Sequence, residues 1–308
     1  MAPEASRPGR ARQVAATIRA LERGEEVPLR YDPQHGYWST VMEGGHHLGR
    51  VGGHELAVRI AGPAEGQVQA EPLLLIHGFG GSKESWQLIL PALSQTRRVI
   101  SFDLPGHGAS SCAVGDGSLH TLAETVSGLM AELGLGRAHI LAHSLGGGIA
   151  LALLAQQPAV VQSLCLLAPV GLGSRDAMDF VGALPDVRSA EAMQQLMAMA
   201  TFAPRVGRRA AQALVQGLDR PGVRSALRHI VQACFTAEGD TADCQPVPGQ
   251  AGVPVRLVWG AEDRIVPCPP ALTGQAILLS QTGHLPQLEQ PEHVVQSVNS
   301  FLAGPVSG

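Results

Sequence analysis

The chain has 308 residues, 45% of them hydrophobic and 16% charged, enough to bury a sizeable core as one large α/β domain or two ordinary ones. Its net charge of −4 gives no overall electrostatic bias, which argues against nucleic acid or an anionic membrane surface as the main partner. Five widely spaced cysteines (Cys112, Cys165, Cys234, Cys244 and Cys268) without a C-x-x-C pair are expected to be reduced thiols of a cytoplasmic protein, neither a disulfide frame nor a zinc site.

Residues 1–45 read as an N-terminal extension. Met1 to Arg12 has no unbroken apolar stretch of signal-peptide length. Gln13 to Arg23 carries Val14, Ile18 and Leu21 at helical spacing, a short amphipathic helix ending near Gly24 whose apolar face would dock on the chain's own body or on a partner. Residues 27–45 show no clear period. From His47 regular structure is expected: His47 to Val51 and His54 to Ile60, separated by Gly52-Gly53, read as a β-hairpin.

Short apolar runs then recur at Leu73 to Ile76, Val99 to Phe102, His139 to Ala142, Ser163 to Leu167, Val255 to Trp259 and Ala276 to Leu279. Runs of this kind are buried on both faces of a parallel sheet. Helical patterns lie between them, among them Leu119 to Leu133 and Ile149 to Gln157. The alternation predicts an α/β fold, a mostly parallel sheet with helices on both faces, in which ligands bind beyond the carboxyl ends of the strands. Even the most apolar stretches, such as Ile149 to Ala155, fall far short of the roughly 20 residues of a membrane span.

The candidate chemical residues follow those strands. Ile76 runs into His77-Gly78-Phe79-Gly80-Gly81, Phe102 into Asp103-Leu104-Pro105-Gly106-His107-Gly108, Trp259 into Gly260-Ala261-Glu262-Asp263, and the last strand into Thr282-Gly283-His284-Leu285-Pro286. In Ile140-Leu141-Ala142-His143-Ser144-Leu145-Gly146-Gly147-Gly148 a buried strand turns into a helix within a few residues and leaves one hydroxyl at the bend. A nucleophile elbow needs small residues two before and two after its Ser; here they are Ala142 and Gly146, with Ala142 standing where the G-x-S-x-G pattern has its first Gly. Taken alone, the stretch fits equally well a Ser144 that caps the following helix.

A Ser hydroxyl becomes a good nucleophile only when a base takes its proton. His284, after the last strand and flanked by Gly283 and Pro286, is the candidate among 12 histidines; His143, beside the nucleophile, points elsewhere. A buried carboxylate must fix the imidazole's tautomer. Asp263 lies between Ser144 and His284, in the order Ser, acid, His, whereas Glu262 reads as an exposed loop acid. The loop after the sixth strand, Ala168-Pro169-Val170-Gly171, offers no competing carboxylate.

With His77-Gly78-Phe79-Gly80, then Asp103-Leu104-Pro105-Gly106-His107-Gly108, then the Ser144 elbow, then Asp263 followed by His284 along the chain, residues 46–303 resemble the α/β-hydrolase fold family. More narrowly, Gly78-Phe79-Gly80-Gly81, Ala142-His143-Ser144-Leu145-Gly146-Gly147, Ala168-Pro169-Val170-Gly171-Leu172-Gly173 and Gly283-His284-Leu285-Pro286-Gln287 are similar to the hydrolase-like domain of the acyltransferase component of acetoin dehydrogenase complexes. The resemblance implies structural roles for His77 and His107. It also implies an oxyanion hole from the backbone N–H groups of Phe79 and Leu145, a helical cap inserted at 171–250, and association with an acyltransferase complex. The cap segment carries helical patterns at Ala190 to Met199 and Arg208 to Leu218. Met178, Met193, Met197 and Met199 lie there, suited to filling gaps between cap and body or to lining an acyl pocket. Six arginines (205, 208, 209, 220, 224 and 228) stand against one acid, Asp219, between 205 and 228. They form a solvated face or, as a sharper expectation, a patch for the phosphates of a coenzyme A tail.

The sequence therefore leads to a serine hydrolase acting on a small-molecule ester or thioester, with catalytic Ser144, Asp263 and His284, and neither metal nor organic cofactor. An acyltransferase or carbon–carbon bond hydrolase with the same three residues, and a non-catalytic module of an acyltransferase complex, stay open beside it.

Overall fold

Residues 47–51, 54–63, 70–173, 177–203, 206–236, 239–240 and 252–304 are described by the computed structural model of the chain; the expected helix over 13–23 and the Gly52-Gly53 turn lie outside them. Three central strands, β3 (Leu73–Ile76), β4 (Val99–Phe102) and β5 (Ala138–His143), are buried at every position, as continuous apolar runs covered on both faces must be. They pair in parallel with one another and with β6 (Val161–Leu167), β9 (Val255–Gly260) and β10 (Ala276–Leu279). At one edge β1 (His47–Val51) and β2 (His54–Ala61) join antiparallel. The sheet has eight strands in the order β1-β2-β4-β3-β5-β6-β9-β10.

Alternation along each strand divides the core in two. Leu74, Ile76, Ile100, Phe102, Ile140, Ala142, Leu164, Leu166, Leu257 and Trp259 face α1 (Leu119–Glu132) and α2 (Leu145–Gln156). Leu73, Leu75, Val99, Leu141, Cys165, Leu167 and Val258 face Trp86, Ile89, Leu93 and the C-terminal helix Pro291–Ala303 through Val294 and Val298. Each Leu or Val buried this way stabilises the fold by about 1.5–3 kcal/mol. One row of partners, Phe102, Ile76, Ala142, Leu166, Leu257 and Ala276, runs across the parallel part of the sheet, so the loops just beyond it share one edge.

Between β6 and β9 the chain makes a helical insert. It holds a turn at Met178–Val181, then α3 (Ala190–Ala200), α4 (Arg208–Leu218), α5 (Val223–Cys234) and the two-stranded hairpin β7 (Phe235–Thr236) and β8 (Gly239–Asp240). Helices α3 and α4 fall where the periodicity places them, whereas α5 and the hairpin were not read from the sequence. Met193 is buried in the core shared with the sheet, and Met178, Met197 and Met199 pack against it half-buried. Among the described residues no helix is long and apolar enough to cross a membrane.

Candidate active site

Ser144 sits between β5 and α2 with φ 51° and ψ −118°. This left-handed backbone is one a non-glycine residue adopts only when its surroundings impose it. The imposition comes from packing. A Cβ on Gly146 would lie 2.3 Å from the carbonyl oxygen of Ile76 and 2.6 Å from that of His77, so only glycine lets α2 start this close to the end of β3. Ser144 occupies the N-cap position of α2, yet its side chain makes no capping hydrogen bond. Its Oγ lies 2.9 Å from Nε2 of His284 instead, and the capping alternative falls away.

His284 follows β10, 140 residues along the chain, and is buried. Its Nδ1 lies 2.8 Å from Oδ2 of the fully buried Asp263 carboxylate. The other oxygen, Oδ1, accepts the backbone N–H groups of Ile265 (2.9 Å) and Val266 (3.0 Å). An ionised carboxylate only accepts, so Nδ1 donates and Nε2 presents its lone pair to the Ser144 hydroxyl. The structure thus brings Ser144, His284 and Asp263 into one hydrogen-bonded chain.

Leu145 follows Ser144 directly, and the loop carrying Phe79 comes close to it. Leu145 opens α2, where an N–H has no partner within the helix. A Cβ on Gly78 would lie 3.0 Å from Cβ of Ser144 and 2.7 Å from Nδ1 of His143, so the backbone next to Phe79 passes close to the Cβ of Ser144. The Phe79 ring is buried and meets the rings of His107 at 5.9 Å and Phe235 at 6.3 Å. The insert therefore packs directly on this loop.

His77 is fully buried, accepting the Leu104 N–H at Nε2 (2.9 Å) with Nδ1 2.8 Å from the Gly78 carbonyl. Burial lowers its proton affinity below the ordinary imidazole range despite the nearby Asp103. His107 has Nδ1 2.9 Å from the Pro105 carbonyl, and burial followed by the neighbouring His77 takes its pKa down to about 3. His143 is the member of this group that sequence reasoning set aside. Burial, then the adjacent His284 ring, holds it well below the usual imidazole value, so it is neutral. Its Nε2, 2.7 Å from the backbone carbonyl of His284, donates to that oxygen and braces the loop from beneath. Glu289 was also missed. Its buried carboxylate accepts the N–H groups of Gly283 (3.0 Å) and Leu285 (3.3 Å) on either side of His284. Both act on backbone atoms, which leave no motif.

The arginine patch reads differently in three dimensions. Arg208 pairs with Glu191, Arg224 with Asp219 and Arg228 with Asp186, and Arg224 also donates to the Pro185 carbonyl (2.7 Å). Two of those three acids lie outside the sequence window that looked one-sided. Arg205 lies outside the described residues. Glu262 is exposed, as read from sequence, and accepts the Thr282 N–H (3.0 Å). Among the described residues no group of three or more His, Cys, Asp or Glu converges as metal ligands would.

Comparison with known proteins agrees with this architecture. Residues 71–191 match the family described as alpha/beta hydrolase fold. The chain is 35% identical over 235 residues, 75% of its length, to the dihydrolipoyllysine-residue acetyltransferase component of the acetoin cleaving system of Pseudomonas putida, and spans 63% of that protein. It is 29% identical to a 2-hydroxymuconate semialdehyde hydrolase, also of Pseudomonas putida, over 77% of this chain and 89% of the relative. Among solved structures, the 2-hydroxy-6-oxo-6-phenylhexa-2,4-dienoate hydrolase of a Rhodococcus strain superposes with a TM-score of 0.73 at 21% identity, covering 84% of this chain and 98% of that one. The match over residues 71–191 and the superposition on a solved hydrolase agree with the sheet order described above, and the chain adopts the α/β-hydrolase fold.

Proposed function

We propose that the chain is a serine hydrolase that cleaves a carboxylic ester or thioester through an acyl-enzyme on Ser144. The observation that carries this reading is the unbroken hydrogen-bond chain from Ser144 Oγ through His284 to Asp263, at 2.9 and 2.8 Å. Ser144 Oγ attacks the substrate carbonyl carbon while its proton passes to Nε2 of His284, and Asp263 stabilises the resulting imidazolium. The carbonyl oxygen becomes an oxyanion that the N–H groups of Phe79 and Leu145 receive. Collapse of the tetrahedral intermediate breaks the bond to the alcohol or thiol, which leaves with the proton from Nε2. A water then repeats the sequence on the acyl-enzyme, giving the acid and restoring Ser144. The helices between β6 and β9 form a cap over this centre and close the acyl pocket.

Ser144→Ala is expected to lower turnover of simple esters by about 10⁴–10⁶ and to abolish labelling by a fluorophosphonate probe, with unfolding unchanged. Wild-type turnover in that variant would refute the assignment. The 35% identity to an acetyltransferase component supports a second reading, in which the acyl group passes to a thiol or alcohol in place of water. The identity to a semialdehyde hydrolase keeps carbon–carbon cleavage beside it. Product analysis with competing acceptors separates these, and the same comparison underlies a proposed association with an acyltransferase complex.

A further inference from the structure

The base is held from outside the sheet as well as from within it. The N–H of His284 donates to the carbonyl of Ala200, the last residue of α3 (2.8 Å). Two residues on, the N–H of Phe202 donates to Oε2 of Glu289 (2.7 Å), while Oε1 of the same carboxylate accepts the N–H groups of Gly283 and Leu285. The approach is close enough that a Cβ on Gly283 would lie 2.8 Å from both the Ala200 carbonyl oxygen and the Phe202 nitrogen. On the other side Arg264, adjacent to the acid, donates from one guanidinium nitrogen to the carbonyls of Ala198 and Thr201, each at 2.9 Å. Four of the five residues 198–202 of the insert (Ala198, Ala200, Thr201 and Phe202) are thereby fastened to the loop that carries the base or to the loop that carries the acid. A carboxylate receiving three backbone N–H groups and an arginine closing the last carbonyls of a helix are charge-assisted contacts, stronger than neutral ones.

We propose that Glu289 and Arg264 are positioning residues that latch the end of α3 to the two catalytic loops, so that Ser144, His284 and Asp263 line up only while this segment of the insert is seated. The inference rests on the reading of those three residues as a catalytic triad. Lifting the 198–202 segment removes the acceptor of the His284 N–H and one of the three donors that hold Glu289, so the imidazole loses its fixed angle toward Ser144. Entry of substrate beneath a raised insert would then meet an unassembled site, and reseating would complete it. Coupling of this kind acts on the chemical step and leaves ground-state binding largely alone.

The test uses the full chain. Glu289→Gln keeps the shape but turns an NH₂ group toward backbone N–H donors. Arg264→Ala removes an exposed side chain and is the variant that retains the fold if the first does not. In both, kcat for a simple ester and the rate of fluorophosphonate labelling are expected to fall about 10- to 100-fold, the range for a catalytic group displaced by about 1 Å, with KM within about threefold. In Arg264→Ala the downfield proton resonance of the His284–Asp263 hydrogen bond should broaden at an unchanged thermal midpoint. The double variant should lose less than the product of the two single losses, because both act on one segment. Wild-type kcat and labelling in a folded Arg264→Ala chain, or losses matched by the unfolded fraction, would overturn the latch. Ser144→Ala measured in parallel separates that failure from failure of the triad, since only the latter leaves the alanine variant active.

Discussion

At Ser144 the strain of a positive φ is maintained by atoms that cannot move aside. The carbonyls of Ile76 and His77 close over Gly146 at distances no real Cβ would tolerate, and the Leu167 carbonyl accepts the Ser144 N–H at 3.0 Å. Gly146→Ala is therefore expected to destabilise the fold by about 1–3 kcal/mol and to lower esterase turnover at least about tenfold, read by urea denaturation and initial rates. Wild-type values of both would show that the elbow has slack. The three residues whose side chains form the hydrogen-bonded chain were legible in the sequence because each follows an apolar run and their order along the chain is distinctive. His143 and Glu289 were not. They work on the carbonyl and N–H groups of the His284 loop, and a contact to backbone leaves no trace in the identity of the residue contacted.

The elements obey the same division. Strands covered on both faces announced themselves as apolar runs, and the boundaries of β1, β4 and β10 fall where the sequence put them. The start of α2 was legible only as the bend at Ser144, its helical period only from Ile149. Three consecutive glycines hide its first turn, since each costs a helix about 1 kcal/mol relative to alanine. They are tolerated because Gly147 lies against Pro169 and Gly148 against Val170 and Leu119, contacts no local propensity contains. The buried pair joining the helical turn at Lys83–Trp86 to the end of β4 was equally silent. Lys83 Nζ lies 2.9 Å from Oδ2 of Asp103, whose carboxylate also accepts the N–H groups of Lys83 and Ala109 at 2.7 Å. Lys83→Met leaves that carboxylate buried without its counter-charge and is expected to cost about 3–5 kcal/mol by urea unfolding, with part regained when Asp103→Asn is added. A neutral result for Lys83→Met alone would mean the backbone donors suffice.

Across the whole molecule, His77, His107 and His143 form a buried group of imidazoles whose proton affinity is lowered, in each case by burial first. Their folded values lie below the unfolded one, near 6.5. Above that pH they are neutral in both states. As pH falls below it the unfolded chain binds protons that the folded chain refuses, so stability is lost with acidification, for His107 over the window from 6.5 down to about 3. Each fully buried imidazole adds a slope of up to about 1.4 kcal/mol per pH unit. Urea midpoints should therefore decline between pH 7 and 5, and His107→Gln should flatten the decline; a flat wild-type profile would show that these side chains titrate freely. The hydrogen bond between residues 144 and 284 spans 140 positions, with the whole helical insert between them. On a ribosome, the hydroxyl at 144 emerges long before the imidazole at 284 exists. If Ser144 is the nucleophile proposed, a nascent chain displaying it stays chemically silent toward esters until β10 and the loop after it have been made.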